Sequence, residues 1–300
     1  MDNQDKKGPA RRYDPLNDFL FYKVMGEKGS EPQLLGFLNA LFAESGRKPI
    51  ASLKIRENRA LVREIMEAKS CVLDVSAVLS DGTLVNIEVQ LRNRHNMDRR
   101  SLFYWGRLYT KALKKGRDYV KLPDVISVNI MGYDFPRGGK THTTFRLRED
   151  SNRSLVLTTA LEIHFVNMVK WRRQREKDLA GNPLHRWLAW FDAKSSPELL
   201  QEAKGMDATI ATADERQEFV MLDEDAQDLY ERRQKAEWDR ASELNDALRR
   251  GLKRGKLEGL VEGERKGLMA GKLEGRLEIM GLIDKGYSLE DIRRELSGKG

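Results

Sequence analysis

Apolar and polar residues alternate in two neighbouring stretches of the chain, residues 73–79 and 85–92. Only Val78 breaks the alternation. A period of two residues is typical of a strand with one buried face. The pattern therefore predicts two strands, with Asp74 and Glu88 on their polar sides. The apolar positions are Leu73, Val75, Ala77, Leu79, Val85, Ile87, Val89 and Leu91.

The link between these strands predicts a hairpin, because residues 80–83 contain an Asp-Gly pair between apolar runs. A two-residue loop would set Asp74 opposite Val89 and mix polar with apolar faces. A three-residue loop ending at Gly82 sets Asp74 opposite Glu88 and keeps each face uniform. We favour the longer loop, with Gly82 in a left-handed conformation.

Two carboxylates on paired strands lie about 5 Å apart at their Cβ atoms. They repel each other unless a cation or a shared proton intervenes. Mg²⁺ prefers oxygen ligands and needs only one or two carboxylates, so Asp74 and Glu88 are predicted to bind Mg²⁺ or another divalent cation. The backbone carbonyl of Val89 is a candidate further ligand. Gln90 shares the face of Glu88, where its amide is expected to orient a bound water.

The order Asp74, hairpin, Glu88-Val89-Gln90 resembles the two-part motif of the PD-(D/E)XK nuclease superfamily, with Gln90 at the usual lysine position. The flanks resemble one branch, the Rpn family of recombination-promoting nucleases and transposases, in which glutamine is usual at that position. The resemblance implies an α/β fold with a mixed central sheet flanked by helices and followed by a helical C-terminal region. The flanking segments are residues 14–26, 32–42 and 99–135.

The resemblance also implies a function, which is magnesium-dependent hydrolysis of DNA phosphodiester bonds. Asp74, Glu88 and Gln90 are then the catalytic residues. Asp18 is an additional candidate acid, although the sequence alone makes it equally a helix N-cap. Glutamine lacks the positive charge of lysine, so slow turnover is expected. The alternative is a catalytically weak or inactive DNA-binding or assembly module on the same fold.

Residues 98–115 carry an apolar stripe at helical spacing. By resemblance this helix borders the active site, which makes Arg100, Tyr104 and Arg107 candidates for DNA binding. Nine lysines and arginines lie between residues 92 and 117. They either hold DNA phosphates or form a solvated helix face. The stripe consists of Leu102, Trp105, Leu108, Tyr109 and Ala112.

Further strands are predicted after this helix. Residues 124–135 alternate and should extend the sheet, and residues 141–149 and 154–168 are rich in Thr, Val and Ile. His142 and His164 lie in the last two runs. Neither has a metal-ligand partner at a characteristic spacing, so each is expected to be a surface histidine or a satisfied core histidine.

We divide the chain into three parts. Residues 1–195 form the nuclease-like domain, residues 196–250 a charged helical extension, and residues 251–300 a glycine-repeat helix followed by a helical hairpin. Trp187, Leu188, Trp190 and Phe191 are expected to anchor a helix in the core. Ser196-Pro197 predicts a helix start, with serine as N-cap and proline at the first helical position.

Seven glycines recur every fourth residue from Gly251 to Gly275. Each costs a helix about 0.8–1 kcal/mol relative to alanine. We therefore expect a compensating partner, either a second subunit or a helix of another chain. The alternative is a partly disordered charged tail. Charged residues between the glycines exclude a transmembrane dimer.

Composition adds little to this picture. The 300 residues carry a net charge of +7, which is compatible with a polyanionic partner such as DNA. A single cysteine, Cys71, excludes an internal disulfide. No apolar run approaches the roughly 20 residues of a membrane span, and residues 1–15 lack the apolar stretch of a secretory signal. A cytoplasmic location is predicted, with no membrane association.

Overall fold

The computed structural model of the protein describes residues 12–56, 75–112 and 118–297. Its strands are β1 (Leu53–Ile55), β2 (Val75–Leu79), β3 (Leu84–Gln90), β4 (Val125–Met131), β5 (His142–Arg146) and β6 (Leu161–Asn167). Within these ranges they form a six-stranded sheet in the order β1-β2-β3-β4-β6-β5. The three central strands, β3, β4 and β6, run parallel, and the other pairings are antiparallel. The predicted mixed sheet is confirmed.

Helices flank this sheet and continue the chain beyond it. They are α1 (Asp18–Phe21), a π-helical turn (Tyr22–Gly26), α2 (Glu31–Ser45), α3 (Met97–Ala112), a 3₁₀ turn (Tyr119–Lys121), α4 (Met168–Arg173), α5 (Pro183–Phe191), α6 (Pro197–Met206), α7 (Ala208–Val220), α8 (Glu224–Asp284) and α9 (Leu289–Ser297). Ser196 caps α6 by accepting a hydrogen bond from the Leu199 amide, with Pro197 at the first helical position. The predicted helix start is confirmed.

The β2–β3 hairpin has the predicted register. Val75 pairs with Ile87 and Ser76 pairs with Asn86, which is the pairing that a three-residue loop produces. Gly82 has a φ of +87°, and its amide donates to the Leu79 carbonyl at 2.9 Å. A positive φ favours glycine because a side chain would clash there. The described pairs thus confirm the longer loop, whereas Cys71, Leu73 and Asp74 lie outside the described residues.

The main hydrophobic core lies on one face of the sheet. Side chains of alternate residues in β3, β4 and β6 contribute to it, including Ile87, Val128 and Val166. Helices α2 and α5 belong to the same core, and Trp187 and Trp190 are fully buried in it. The predicted apolar anchor is confirmed. Burying side chains of this size is the largest favourable contribution to such a core.

The chain divides into two compact units, Met1–Gln234 and Lys235–Gly300. In the first unit the core continues into α6, α7 and the start of α8, where Leu200, Ile210 and Tyr230 are buried. The second unit holds the rest of α8 and α9. The three-part division of the chain by function stays a prediction. No helix in the described part of the chain is long and apolar enough to cross a membrane.

Candidate active site

Glu88 lies in the middle of β3, between the antiparallel strand β2 and the parallel strand β4. Its side chain points to the face opposite the main core, together with Asn86 and Gln90, because strand residues two apart share a face. Helix α3 lies on this side, since Met97 packs with Met131 of β4. The alternation alone is ordinary for a solvated strand face, but Glu88 is only 1% exposed.

The Glu88 carboxylate has different surroundings at its two oxygens. Oε2 accepts a hydrogen bond from Gln90 Nε2 at 3.2 Å and lies 3.6 Å from Arg100 Nε. Oε1 is buried and has no hydrogen-bond partner among the residues that the structure describes. Burial raises the pKa of Glu88, while the charge of Arg100 and the Gln90 hydrogen bond act to lower it. A buried carboxylate with a free oxygen is suited to binding a cation.

Arg100 reaches the site from the first turn of α3. Its side chain is 18% exposed, and its guanidinium carbon lies 4.8 Å from the ring centre of Tyr104, one turn further along the helix. Stacking on an aromatic ring orients a guanidinium and contributes a modest attraction. The structure therefore brings together Glu88, Gln90, Arg100 and Tyr104. Arg107 is exposed on the same helix.

The predicted apolar stripe of this helix is only partly covered. Leu102 is 52% exposed and Trp105 is half-buried. The indole Nε1 of Trp105 donates to the carbonyls of Val125 and Ala160, at 3.0 and 3.3 Å. Trp105 thus holds α3 against the start of β4 through these hydrogen bonds as well as through packing. This attachment keeps Arg100 beside Glu88.

No group of three or more His, Cys, Asp or Glu side chains in the described ranges is arranged to hold a metal ion. The predicted partner of Glu88, Asp74, is outside those ranges. Two buried oxygens nevertheless fit a hard cation, namely Glu88 Oε1 and Asn129 Oδ1, neither of which has a hydrogen-bond partner in the described residues. Glu88 and Asn129 are direct register partners in the β3–β4 pairing.

A family model described as PD-(D/E)XK nuclease family transposase matches residues 15–247, more than half of the 300-residue chain. The chain belongs to this family. The superfamily resemblance carried by the hairpin motif is thereby confirmed. No curated protein and no solved structure gives a significant match.

The residues matched to the PD-(D/E)XK nuclease family transposases include Glu88, Gln90 and Arg100 and end before Gly251, the first glycine of the repeat. The matched part spans the whole described sheet and the helices around it. Membership in a nuclease family makes nuclease or transposase chemistry the expected activity.

Asp18 is the first residue of α1, but it is not the N-cap. Asn17 takes that position, and its side chain accepts a hydrogen bond from the Leu20 amide at 3.3 Å. The N-cap interpretation of Asp18 is therefore wrong by one residue. Asp18 Oδ2 instead lies 3.0 Å from Arg233 Nη1 on α8. Its role as an extra active-site acid stays a prediction.

His142 and His164 belong to a separate buried network. His142 Nε2 lies 2.9 Å from His164 Nδ1, and His164 Nε2 lies 2.7 Å from Glu162 Oε1. Arg146 also donates to this carboxylate, at 2.9 Å. His164 faces the side of the sheet opposite Glu88, because it packs against Phe42 of α2. Of the two predicted alternatives, surface or satisfied core histidine, the structure shows the core histidine at both positions.

The sequence reasoning missed Asn129. Asn129 and Ser127 occupy alternate positions of an otherwise apolar strand, and both are buried. Polar residues at alternate positions of a strand that is otherwise apolar are the sequence signal by which Ser127 and Asn129 could have been predicted. Burying such groups is costly unless they are paired, so they call for a structural or functional explanation.

Proposed function

We propose that the protein is a magnesium-dependent DNA endonuclease of the recombination-promoting type. The observation that carries this proposal is the buried Glu88 carboxylate, with one oxygen lacking a described partner and the other beside Arg100, in a chain that belongs to a nuclease family. Buried titratable groups with specific charge partners are enriched at functional sites.

In the proposed site, Asp74 and Glu88 hold the divalent cation, with the backbone carbonyl of Val89 as a further ligand. The described β2–β3 register is the one on which the predicted proximity of Asp74 and Glu88 depends. Bound Mg²⁺ would polarise the scissile phosphate and lower the pKa of a bound water. Gln90 orients the attacking water through its amide. Its hydrogen bond to Glu88 keeps that amide on the metal side of the strand.

DNA is the proposed substrate, and α3 is its proposed contact surface. Arg100 lies next to Glu88, Tyr104 stacks against Arg100, and Arg107 is exposed on the same helix. Arginine donates paired hydrogen bonds to phosphate oxygens, so these side chains would hold the DNA backbone near the carboxylate. Arg100 also supplies a positive charge in a site where Gln90 supplies none.

A nicking assay on supercoiled plasmid, with and without Mg²⁺, tests the proposal. We expect cleavage by the full chain only with the cation, and loss of about 100-fold or more in Asp74→Ala and in Glu88→Gln, because each removes a charged ligand. Glu176→Gln is the matched control, since Glu176 is an exposed carboxylate of the same unit. Undiminished cleavage by both site variants would reject the assignment.

The second candidate is a DNA-binding or assembly module without efficient catalysis. Two observations favour it: the amide of Gln90 replaces lysine, and Arg100 already offers a positive charge to Glu88. This module would bind DNA in the absence of Mg²⁺, and it would leave plasmid DNA uncleaved when Mg²⁺ is present. The same plasmid assay, combined with DNA binding measured by fluorescence anisotropy, separates the two candidates.

We also propose self-association through the glycine repeat of α8. Leucines on this helix are largely exposed, for example Leu252 at 66% and Leu268 at 62%. Apart from the adjacent backbone of the helix itself, a Cβ atom added at any glycine of the repeat from Gly251 to Gly275 would meet no described atom within 4 Å. These positions are therefore open to a close-packed helix from a second copy.

A cytoplasmic location is proposed as well, since a chain with one cysteine has no internal disulfide to form.

A further inference from the structure

Two oxygen atoms without described hydrogen-bond partners lie on neighbouring central strands. One is Glu88 Oε1 on β3 and the other is Asn129 Oδ1 on β4. The two residues are paired directly in the parallel register and are both 1% exposed. Paired residues share a face of the sheet, and neighbouring strands are about 4.8 Å apart. Both side chains therefore lie on the α3 side of the sheet, next to each other.

The orientation of the Asn129 amide is fixed by its donors. Nδ2 donates to the backbone carbonyl of His164 at 3.2 Å and lies 3.5 Å from Ser127 Oγ. A carbonyl can only accept, so the atom that faces it must be the nitrogen. Oδ1 is consequently the atom turned away from β6. A buried acceptor held in place without a donor calls for a ligand that binds oxygen.

We propose that Asn129 Oδ1 is an additional oxygen ligand of the divalent cation at Glu88. The inference rests on the proposed metal-dependent function and extends it by one residue of β4. Asparagine carbonyl oxygens bind hard cations in the same way as carboxylate oxygens do, and a cation would satisfy both orphan oxygens at once. Neutral Asn129 adds an oxygen without adding a third negative charge to the crowded site.

Asn86 provides a matched control for Asn129. It is also an asparagine in the middle of a central strand, on the same face as Glu88, and 4% exposed. Its oxygen differs because it accepts a hydrogen bond from Ser76 Oγ at 2.9 Å. An effect of buried asparagine as such would appear at both positions, whereas an effect of metal binding would appear only at Asn129.

Binding of Mn²⁺ and Mg²⁺ to the full chain, measured by isothermal titration calorimetry, tests the inference without an activity readout. We expect Asn129→Leu to weaken binding by about tenfold or more, as loss of a ligand or of its support typically does. Asn86→Leu should bind as the unaltered chain does. Equal affinity of Asn129→Leu and the unaltered chain would overturn the inference.

Asn129→Asp is the second variant, because it keeps the oxygen and adds a charge. It should be less stable than the unaltered chain without metal, since two buried carboxylates repel, and should gain more thermal stability on addition of Mg²⁺. An unchanged metal-dependent gain would count against Asn129. If the unaltered chain binds no divalent cation, the proposed function fails together with this inference. If the unaltered chain binds metal and cleaves DNA but all Asn129 variants behave like it, only the inference fails.

Discussion

Arg100 illustrates how a single residue changes the chemistry of the site at Glu88. Burial alone would keep this carboxyl protonated at higher pH, and the guanidinium 3.6 Å away opposes that effect. A protonated carboxyl binds cations poorly, so in the proposed metal site Arg100 would set the pH at which Glu88 becomes available as a ligand. Arg100 approaches Glu88 at Oε2, so the other carboxylate oxygen, Oε1, keeps its place for a ligand.

We therefore predict that Arg100→Gln shifts the pH midpoint of Mn²⁺ binding upward. Removal of the positive charge leaves the burial effect unopposed, so the pKa of Glu88 rises further and binding is lost at a higher pH. Calorimetric titrations at a series of pH values measure the midpoint. Arg107→Gln on the exposed side of the same helix should leave it unchanged. A midpoint that moves equally in both variants would indicate a general charge effect.

Sequence reasoning could find Glu88 but not its environment. The hairpin turn fixes the β2–β3 register locally, so a choice between two loop lengths was enough to predict how the described residues of β2 and β3 pair, from Val75 with Ile87 to Val78 with Leu84. The β3–β4 pairing is parallel and joins segments separated by α3. No local signal sets that register. The proximity of Asn129 to Glu88 therefore could not be predicted from the sequence and is seen only in the folded chain.

At the scale of elements, the β5–β6 pair combines two histidines with a carboxylate in the interior. Burial lowers the pKa of His164 to about 4, although its hydrogen bond to Glu162 acts in the opposite direction. The pKa of Glu162 falls to about 2, because hydrogen bonds and charges from His164 and Arg146 outweigh burial. Glu44 and Arg47 of the α2 region also face this network, at 3.4 Å from His142 and 3.2 Å from Glu162.

The network predicts loss of stability in acid. Between pH 6.5, the ordinary pKa of histidine, and about pH 4, the unfolded chain takes up a proton that folded His164 does not. Between pH 4.5 and about 2, the unfolded chain protonates a glutamate that stays ionised in the fold. Stability should therefore fall continuously from pH 6.5 downward, with the His164 part on the order of 3 kcal/mol.

Urea unfolding followed by circular dichroism at several pH values measures this dependence. His164→Gln removes the titrating group and should flatten the curve between pH 6.5 and 4.5, even though it lowers stability at neutral pH. His185→Gln is the control, because His185 lies on α5 outside the network. A curve of unchanged slope in His164→Gln would contradict the assignment. The Thr, Val and Ile content predicted these strands, but only their pairing shows that the two histidines are neighbours.

At the scale of the whole molecule, the region that matches the family and the glycine repeat differ in how their apolar side chains are buried. The compact unit that contains the core ends at Gln234, and the family match ends at residue 247. Beyond it, α8 continues as a helix whose apolar side chains stay exposed in the second unit. The sequence predicted this helix and its poor intrinsic stability. The local pattern of a single chain does not specify what, if anything, packs against this helix.

We predict that the glycines are contact points between copies of the chain. Changing Gly255, Gly263 and Gly271 together to leucine raises helix propensity, and a Cβ at each position meets no described atom within 4 Å apart from the adjacent helix backbone, so the helix itself should not be disturbed. The added side chains would, however, hold a second helix away. Light scattering at micromolar concentration should therefore show a lower mass for the triple variant than for the unaltered chain, with helix content equal or higher by circular dichroism.

Asn245→Leu is the control for this last prediction, because it adds the same side chain to the same helix just before the repeat. It should keep the mass of the unaltered chain. Equal mass for the triple variant would show that the glycines do not touch a partner copy, and an unaltered chain that is monomeric would reject self-association altogether. In the second case two alternatives would remain, a helix of another chain that offsets the cost of seven glycines or a partly disordered tail, since the exposed leucines of the second unit are not covered by its described residues.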